Sequence, residues 1–179
     1  MKLLFASDIH GSFYYTKRLI EIFHEEKADK LILLGDILYH GPRNPLTKDY
    51  NPMKVANLLN QYRDQILCVR GNCDSEVDQM VLDFPMMADY TQLVVDNYQF
   101  FLTHGHLYKP NDIPDSGKNI FVYGHIHVPV LEKNNVFVLN PSSIALPKEN
   151  NPSTYAIYEN NMIQIKTLDN RIIKELELS

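Results

Sequence analysis

Hydrophobic residues enter this chain in short runs that turn-forming or polar residues cut off. "KLLFAS" (2–7), "KLILLG" (30–35) and "QILCVR" (65–70) are too short for helices and too uniformly apolar for half-exposed strands. They predict strands buried on both faces. Between them the period changes. "YYTKRLIEIFHEE" sets Tyr15, Leu19, Ile22 and Phe23 at helical spacing, and "MKVANLLNQY" (53–62) does the same with Val55, Leu58 and Leu59. The first half therefore predicts a parallel βαβαβ unit. "HGPRNPLTKDYNP" (40–52) interrupts it with three prolines and no apolar period. A loop of this length within a compact domain is usually functional or mobile.

The second half predicts strands only. "TQLVVDNYQFFLTH" is a hairpin about Asp96-Asn97. "NIFVYG" (119–124), "VPVLEK" and "VFVLN" continue it, the last two joined across Asn134-Asn135. "STYAIYENNMIQIKTLDNRIIKELEL" closes the chain with strands joined at Asn160-Asn161 and near Asp169-Asn170. A parallel start passing into antiparallel strands predicts an α/β fold of two packed sheets with helices outside.

Composition narrows the setting. At 179 residues the chain suits one domain, taken as 1–179. Its 45% apolar and 22% charged residues are ordinary for a globular protein. A net charge of -5 argues against a broad nucleic-acid-binding face. "MKLLFASDIH" reaches Asp8 too early for a secretory signal, and no run approaches a membrane span. Two cysteines without a paired framework suit a reducing compartment, so the expected location is the cytoplasm.

The residues at the end of each apolar run carry the chemistry. "LLFAS" leads into Asp8-Ile9-His10, "LILLG" into Asp36, "ILCVRG" into Asn72, "FFLT" into His104 and "IFVYG" into His125-Ile126-His127. Each has a plain structural reading: a turn aspartate, a helix cap, an asparagine in the left-handed region, a solvated histidine. Together they differ, because strand C-termini in open α/β sheets converge on one crevice. On extended backbone, residues at i and i+2 point the same way, which would pair Asp8 with His10 and His125 with His127. Four of the seven histidines fall at these positions, and the joint pattern predicts a shared metal site.

The ordered series D-x-H, G-D, G-N, H and G-H-x-H, from Asp8 to His127, resembles the calcineurin-like metallophosphoesterases. The short chain, "GNCD" and the "HGPRNP" loop are most similar to that family's small bacterial phosphodiesterases of the YfcE type. The resemblance implies a two-sheet β-sandwich flanked by helices (α/β/β/α layers) and a dinuclear metal centre. It implies that Asp8, His10 and His127 bind one ion, that Asn72, His104 and His125 bind the second, and that Asp36 bridges both. A hydroxide shared by the ions would attack a small organic phosphodiester. An oxygen and nitrogen donor set favours manganese, with iron, zinc, cobalt or nickel as alternatives. The Asn72 amide is also placed to donate to a phosphate oxygen. Arg43, in the long loop, is either a solvated side chain or a substrate contact. His106 reads as a supporting or solvated residue with substrate contact as the alternative, His24 as a helix-surface residue, and His40 lies with Arg43 in the long loop that would overhang the pocket.

Cys73 stands where many family members carry the histidine thought to protonate the leaving group. It reads as a small neutral lining residue, with a catalytic or redox thiol as the alternative. Two other functions stay open: a nuclease, which the charge disfavours, and a non-catalytic scaffold of the same fold, like the small retromer subunit. A homo-oligomer is compatible with the β-rich second half.

Overall fold

The strands and helices of the first half form where the apolar pattern places them. In the computed structural model, which describes residues 1–114 and 116–178, they are β1 (Leu3–Ala6), α1 (Phe13–Glu25), β2 (Lys30–Leu33), α2 (Pro52–Asn60) and β3 (Ile66–Cys68). Both helices begin at capping side chains. Ser12 Oγ accepts the Tyr15 N–H, Asn51 Oδ1 accepts the Lys54 N–H, and Pro52 occupies the first turn where no N–H is needed. α1 buries Leu19, Ile22 and Phe23 as its spacing predicts, together with Thr16 and Ile20.

A single turn, α3 (Glu76–Gln79), precedes the strand-rich half: β4 (Tyr90–Val95), β5 (Tyr98–Thr103), β6 (Asn119–Val122), β7 (Pro129–Lys133), β8 (Phe137–Pro141), β9 (Thr154–Glu159), β10 (Met162–Thr167) and β11 (Ile172–Glu177). The strands make a six-stranded sheet, β11-β10-β9-β1-β2-β3, and a five-stranded sheet, β4-β5-β6-β8-β7. The last three strands thus return to the first sheet, with β9 antiparallel to β1.

The second sheet departs from the antiparallel expectation. β5 pairs parallel with β6, and β6 parallel with β8. Side-chain alternation is the same in both strand directions; the returning connection sets the direction, and here it brings the chain back to the starting edge.

The continuous apolar runs result from burial on both faces. Leu3 and Phe5 of β1 point between the sheets, where they meet Phe100, Leu102, Ile120 and Val122, while Leu4 and Ala6 point toward α1 and α2. The outer face of the second sheet is covered more thinly. Phe101, Phe121 and Val138 lie there against Tyr108, beside one 3-10 turn at Pro110–Asp112. The layers are therefore helices, sheet, sheet and a slight helical flank. No helix among the described residues is long and apolar enough to cross a membrane.

Candidate metal centre

The parallel strands of both sheets end at one edge, and their next residues close on each other. Asp8 N–H donates to Gly35 O (3.1 Å) and His10 N–H to Asp36 O (2.9 Å), joining the ends of β1 and β2. His125 N–H donates to Asp8 Oδ2 (3.0 Å) and Ser143 Oγ to Asp8 O (2.8 Å), tying the second sheet to the first. Glycines make this approach feasible: a Cβ on Gly71 would collide with Asp36 Oδ1, and one on Gly124 with Ser7 Oγ.

The i, i+2 pairs do not rest on extended backbone as expected. Asp8, His10, His125 and His127 all have positive φ, as has Asp36, with values of 48–67°. Such geometry is uncommon outside glycine and persists where the surrounding structure imposes it. It turns His127 toward Asp8 and His10, and His125 toward His104, whose ring centroid is 5.1 Å away.

Among the described residues, three trios bring their donor atoms within 4.8 Å of one another: Asp8, His10 and His127; Asp8, Asp36 and His104; and His10, Asp36 and Cys73. Asp36 lies between the histidines, with Oδ2 at 3.7 Å from His10 Nε2 and 3.5 Å from His104 Nε2. Asn72 Oδ1 is 3.1 Å from His104 Nε2.

The other ring nitrogens settle the tautomers. His10 Nδ1 donates to Tyr39 O (2.9 Å), His104 Nδ1 to Leu34 O (2.6 Å) and His127 Nδ1 to Leu146 O (2.6 Å). A carbonyl only accepts, so each Nδ1 carries a proton and Nε2 is the nitrogen each ring would offer to a metal. The Nε2 atoms of His10 and His127 then face one another at 3.3 Å. Two ring nitrogens at that distance, beside buried carboxylates, share either a proton or a bound cation. Holding each imidazole through a backbone carbonyl is also how metal-ligating histidines are oriented.

With protons alone, the charges respond strongly. Burial would raise the Asp8 carboxyl, yet His104, His10 and His127 hold it well below its ordinary value. Burial disfavours an imidazolium at His104, but Asp8 and Asp36 raise it to about 9. Cys73 goes the other way: burial and the Asp36 carboxylate push its thiol up to about 12. Its sulfur is therefore protonated near neutrality, while its backbone N–H serves Asp36 Oδ1 at 2.8 Å.

Several supporting residues are not evident from the sequence. Asp74 accepts the N–H groups of Asp36 (2.8 Å), Ile37 (2.9 Å) and Gly71 (2.7 Å), locking the β2 and β3 loops together. Burial and Asp36 raise its carboxyl to about 6 despite these donors. Asn140 donates to Gly124 O (2.7 Å), and Ser143 supports Asp8 through its carbonyl. A signal for both exists: "VFVLNPSS" is another apolar run ending in polar residues, but one poor in metal donors. Arg43 and Lys148 both line the cleft over the cluster.

Comparison with known proteins agrees with this arrangement. A profile described as the calcineurin-like phosphoesterase superfamily domain matches residues 1–162. Phosphodiesterase YfcE of Escherichia coli (strain K12) is 46% identical over 175 residues, covering 97% of this chain and 95% of that protein. Phosphodiesterase MJ0936 of Methanocaldococcus jannaschii is 25% identical over 150 residues, covering 79% of this chain and 82% of its own length. The solved structure of E. coli YfcE, described as a phosphoesterase, superposes with a TM-score of 0.96 at 44% identity, covering 100% of both chains. Full-length similarity of that degree, on a fold whose strand ends gather these carboxylates and imidazoles, makes the chain a hydrolase of the calcineurin-like phosphoesterase superfamily and a relative of E. coli YfcE.

Proposed function

We propose that this chain hydrolyses a small organic phosphodiester at a centre of two divalent metal ions, manganese being the first choice. The observation that carries the reading is the convergence of the His10 and His127 Nε2 atoms, 3.3 Å apart, on Asp8, with Asp36 in reach of both histidine clusters. Asp8, His10 and His127 would hold one ion, Asn72, His104 and His125 the other, and Asp36 would touch both. When bound, the ions supply Lewis-acid stabilisation of phosphoryl charge and an activated water.

The chain's own groups do the rest. Two carboxylates against two divalent ions leave the pocket positive, which draws an anion into a protein of net charge -5. Neutral imidazoles would add donors without cancelling that charge, and the Asn72 amide would donate an N–H to a phosphoryl oxygen. Cys73 offers a thiol where an imidazolium would protonate the leaving group, so departure is weakly assisted. That favours diesters and good leaving groups over alkyl monoesters. The chain works as one domain, in the cytoplasm, on small molecules rather than nucleic acid.

A screen of mono- and diesters with each of several metals, on wild type and Asp36→Asn, tests this. Wild type should cleave diesters with manganese. Asp36→Asn should lose most activity and bind both ions more weakly while staying folded. Normal turnover and a full metal complement in Asp36→Asn would show that Asp36 does not bridge.

A further inference from the structure

The cleft over the metal-ligand cluster is far larger than the reacting phosphate needs. Its volume of about 730 Å³ lies in the range that encloses a drug-sized ligand. Tyr39 and Ile126, 41% and 38% exposed, form part of its walls and offer apolar surface to an organic substituent. Two cations, Arg43 and Lys148, complete it, and the only carboxylate among the lining residues is Asp36.

Neither cation has a hydrogen-bond or ion-pair partner among the described residues. Both are carried by segments fixed to the cluster. The Arg43 loop is tied at Tyr39 O, which accepts from His10 Nδ1 (2.9 Å), and is braced by Asn44 Nδ2 donating to His40 O (2.8 Å). Lys148 N–H donates to His127 O (2.9 Å), and Lys148 O accepts the Asn151 side chain (2.9 Å). The two cations thus line the same cleft, on segments whose backbones are tied to His10 and His127.

Their charge is surplus to the reaction. A phosphodiester carries one negative charge, and the proposed metal centre already outweighs it. Resting on that reading of the centre, we propose that Arg43 and Lys148 bind a terminal phosphomonoester group on the substrate, beside the diester that is cut. A phosphomonoester carries about two negative charges near neutrality and matches the pair, whereas a carboxylate would leave one cation unmatched. The arginine supplies a planar fork for two phosphate oxygens and the lysine a mobile point charge. The substrate class is then an organic phosphodiester bearing a second, terminal phosphate.

The test compares a nucleoside p-nitrophenyl phosphodiester with the same compound carrying a second phosphate on its sugar. With manganese, the second phosphate should raise kcat/KM about tenfold, chiefly through KM, and added salt should erode the gain. Arg43→Ala and Lys148→Ala should each shrink the ratio of kcat/KM values, and the double variant should bring it near unity. Calorimetric titration of the metal-loaded protein with a nucleoside monophosphate and the matching bisphosphate supplies a readout independent of turnover. The bisphosphate should bind about tenfold more tightly to wild type and no better to the double variant. Equal kcat/KM for the two diesters, or a gain retained in the double variant, overturns the inference and leaves the proposed activity standing. Absence of diester cleavage with every metal overturns the proposed activity instead, and the calorimetric difference then decides the cation pair alone.

Discussion

Asp74 spends both carboxylate oxygens on three backbone N–H groups, so its worth lies in the loops it joins. In Asp74→Asn one oxygen can still accept two of these donors, but the amide NH2 must face the third. Leaving a buried donor unpaired costs about 1–3 kcal/mol, and urea unfolding should register that loss. Metal affinity should fall too, because the freed loop carries Asp36. Cys73 is a contrasting case. Its thiol is pushed up to about 12, so Cys73→Ser should change turnover little. Cys73→His should raise turnover most for poor leaving groups, by up to the roughly 100-fold at the lower end for a general acid. Loss of activity in Cys73→Ser with both metals still bound would make the thiol catalytic. At this scale the donors were legible because metal chemistry restricts residue type. Asp74 was not, because an aspartate that holds backbone looks like any turn residue until its partners are known.

Among the elements, α1 is fastened by the residue that ends it. Glu26 Oε1 accepts from Lys166 Nζ and from Tyr155 OH (both 2.8 Å), and Oε2 pairs with Lys2 Nζ (2.8 Å), linking the helix to β9, β10 and the residue before β1. Burial would raise this carboxyl, yet Lys166, Lys2 and Tyr155 lower it from 4.5 to about 2. A depressed folded pKa stabilises the fold above the unfolded value and loses that stabilisation as pH falls through the folded one. Stability should therefore drop between about pH 4.5 and 2. Solvent screening at this partly open site holds the loss from this group to about 1–2 kcal/mol. Glu26→Gln should lose stability at neutral pH and flatten that acid limb in denaturant titrations; an unchanged limb would assign it elsewhere. The hairpin turns were readable as elements. Asp96-Asn97 and Asn160-Asn161 have positive φ throughout, which these residue types tolerate in tight turns. The same backbone state at His10 and His127 was not readable, since histidine signals it far less specifically.

For the whole molecule, the site exists because two sheets end together. Ions that bind only the closed arrangement stabilise the native state by mass action. At about a hundredfold excess over Kd, manganese should add about 2.7 kcal/mol and raise Tm by roughly 5–10 °C, and a chelator should remove the gain. Calorimetric melting of wild type and Asp36→Asn checks this. A gain of the same size in the variant would place the ion elsewhere.

The alternation of apolar runs and helical periods determined the βαβαβ start, the strand-rich second half and the positions of Asp8, His10, Asp36, Asn72, His104, His125 and His127 at strand ends. These are local properties, written in spacing and residue type. Tertiary structure alone decided that β9–β11 rejoin the first sheet, that β5, β6 and β8 run parallel, and that Lys148 reaches the cleft that Arg43 lines. Strand partner and direction depend on how connections return and which faces they bury, and a run such as "NIFVYG" reads the same whichever neighbour it meets.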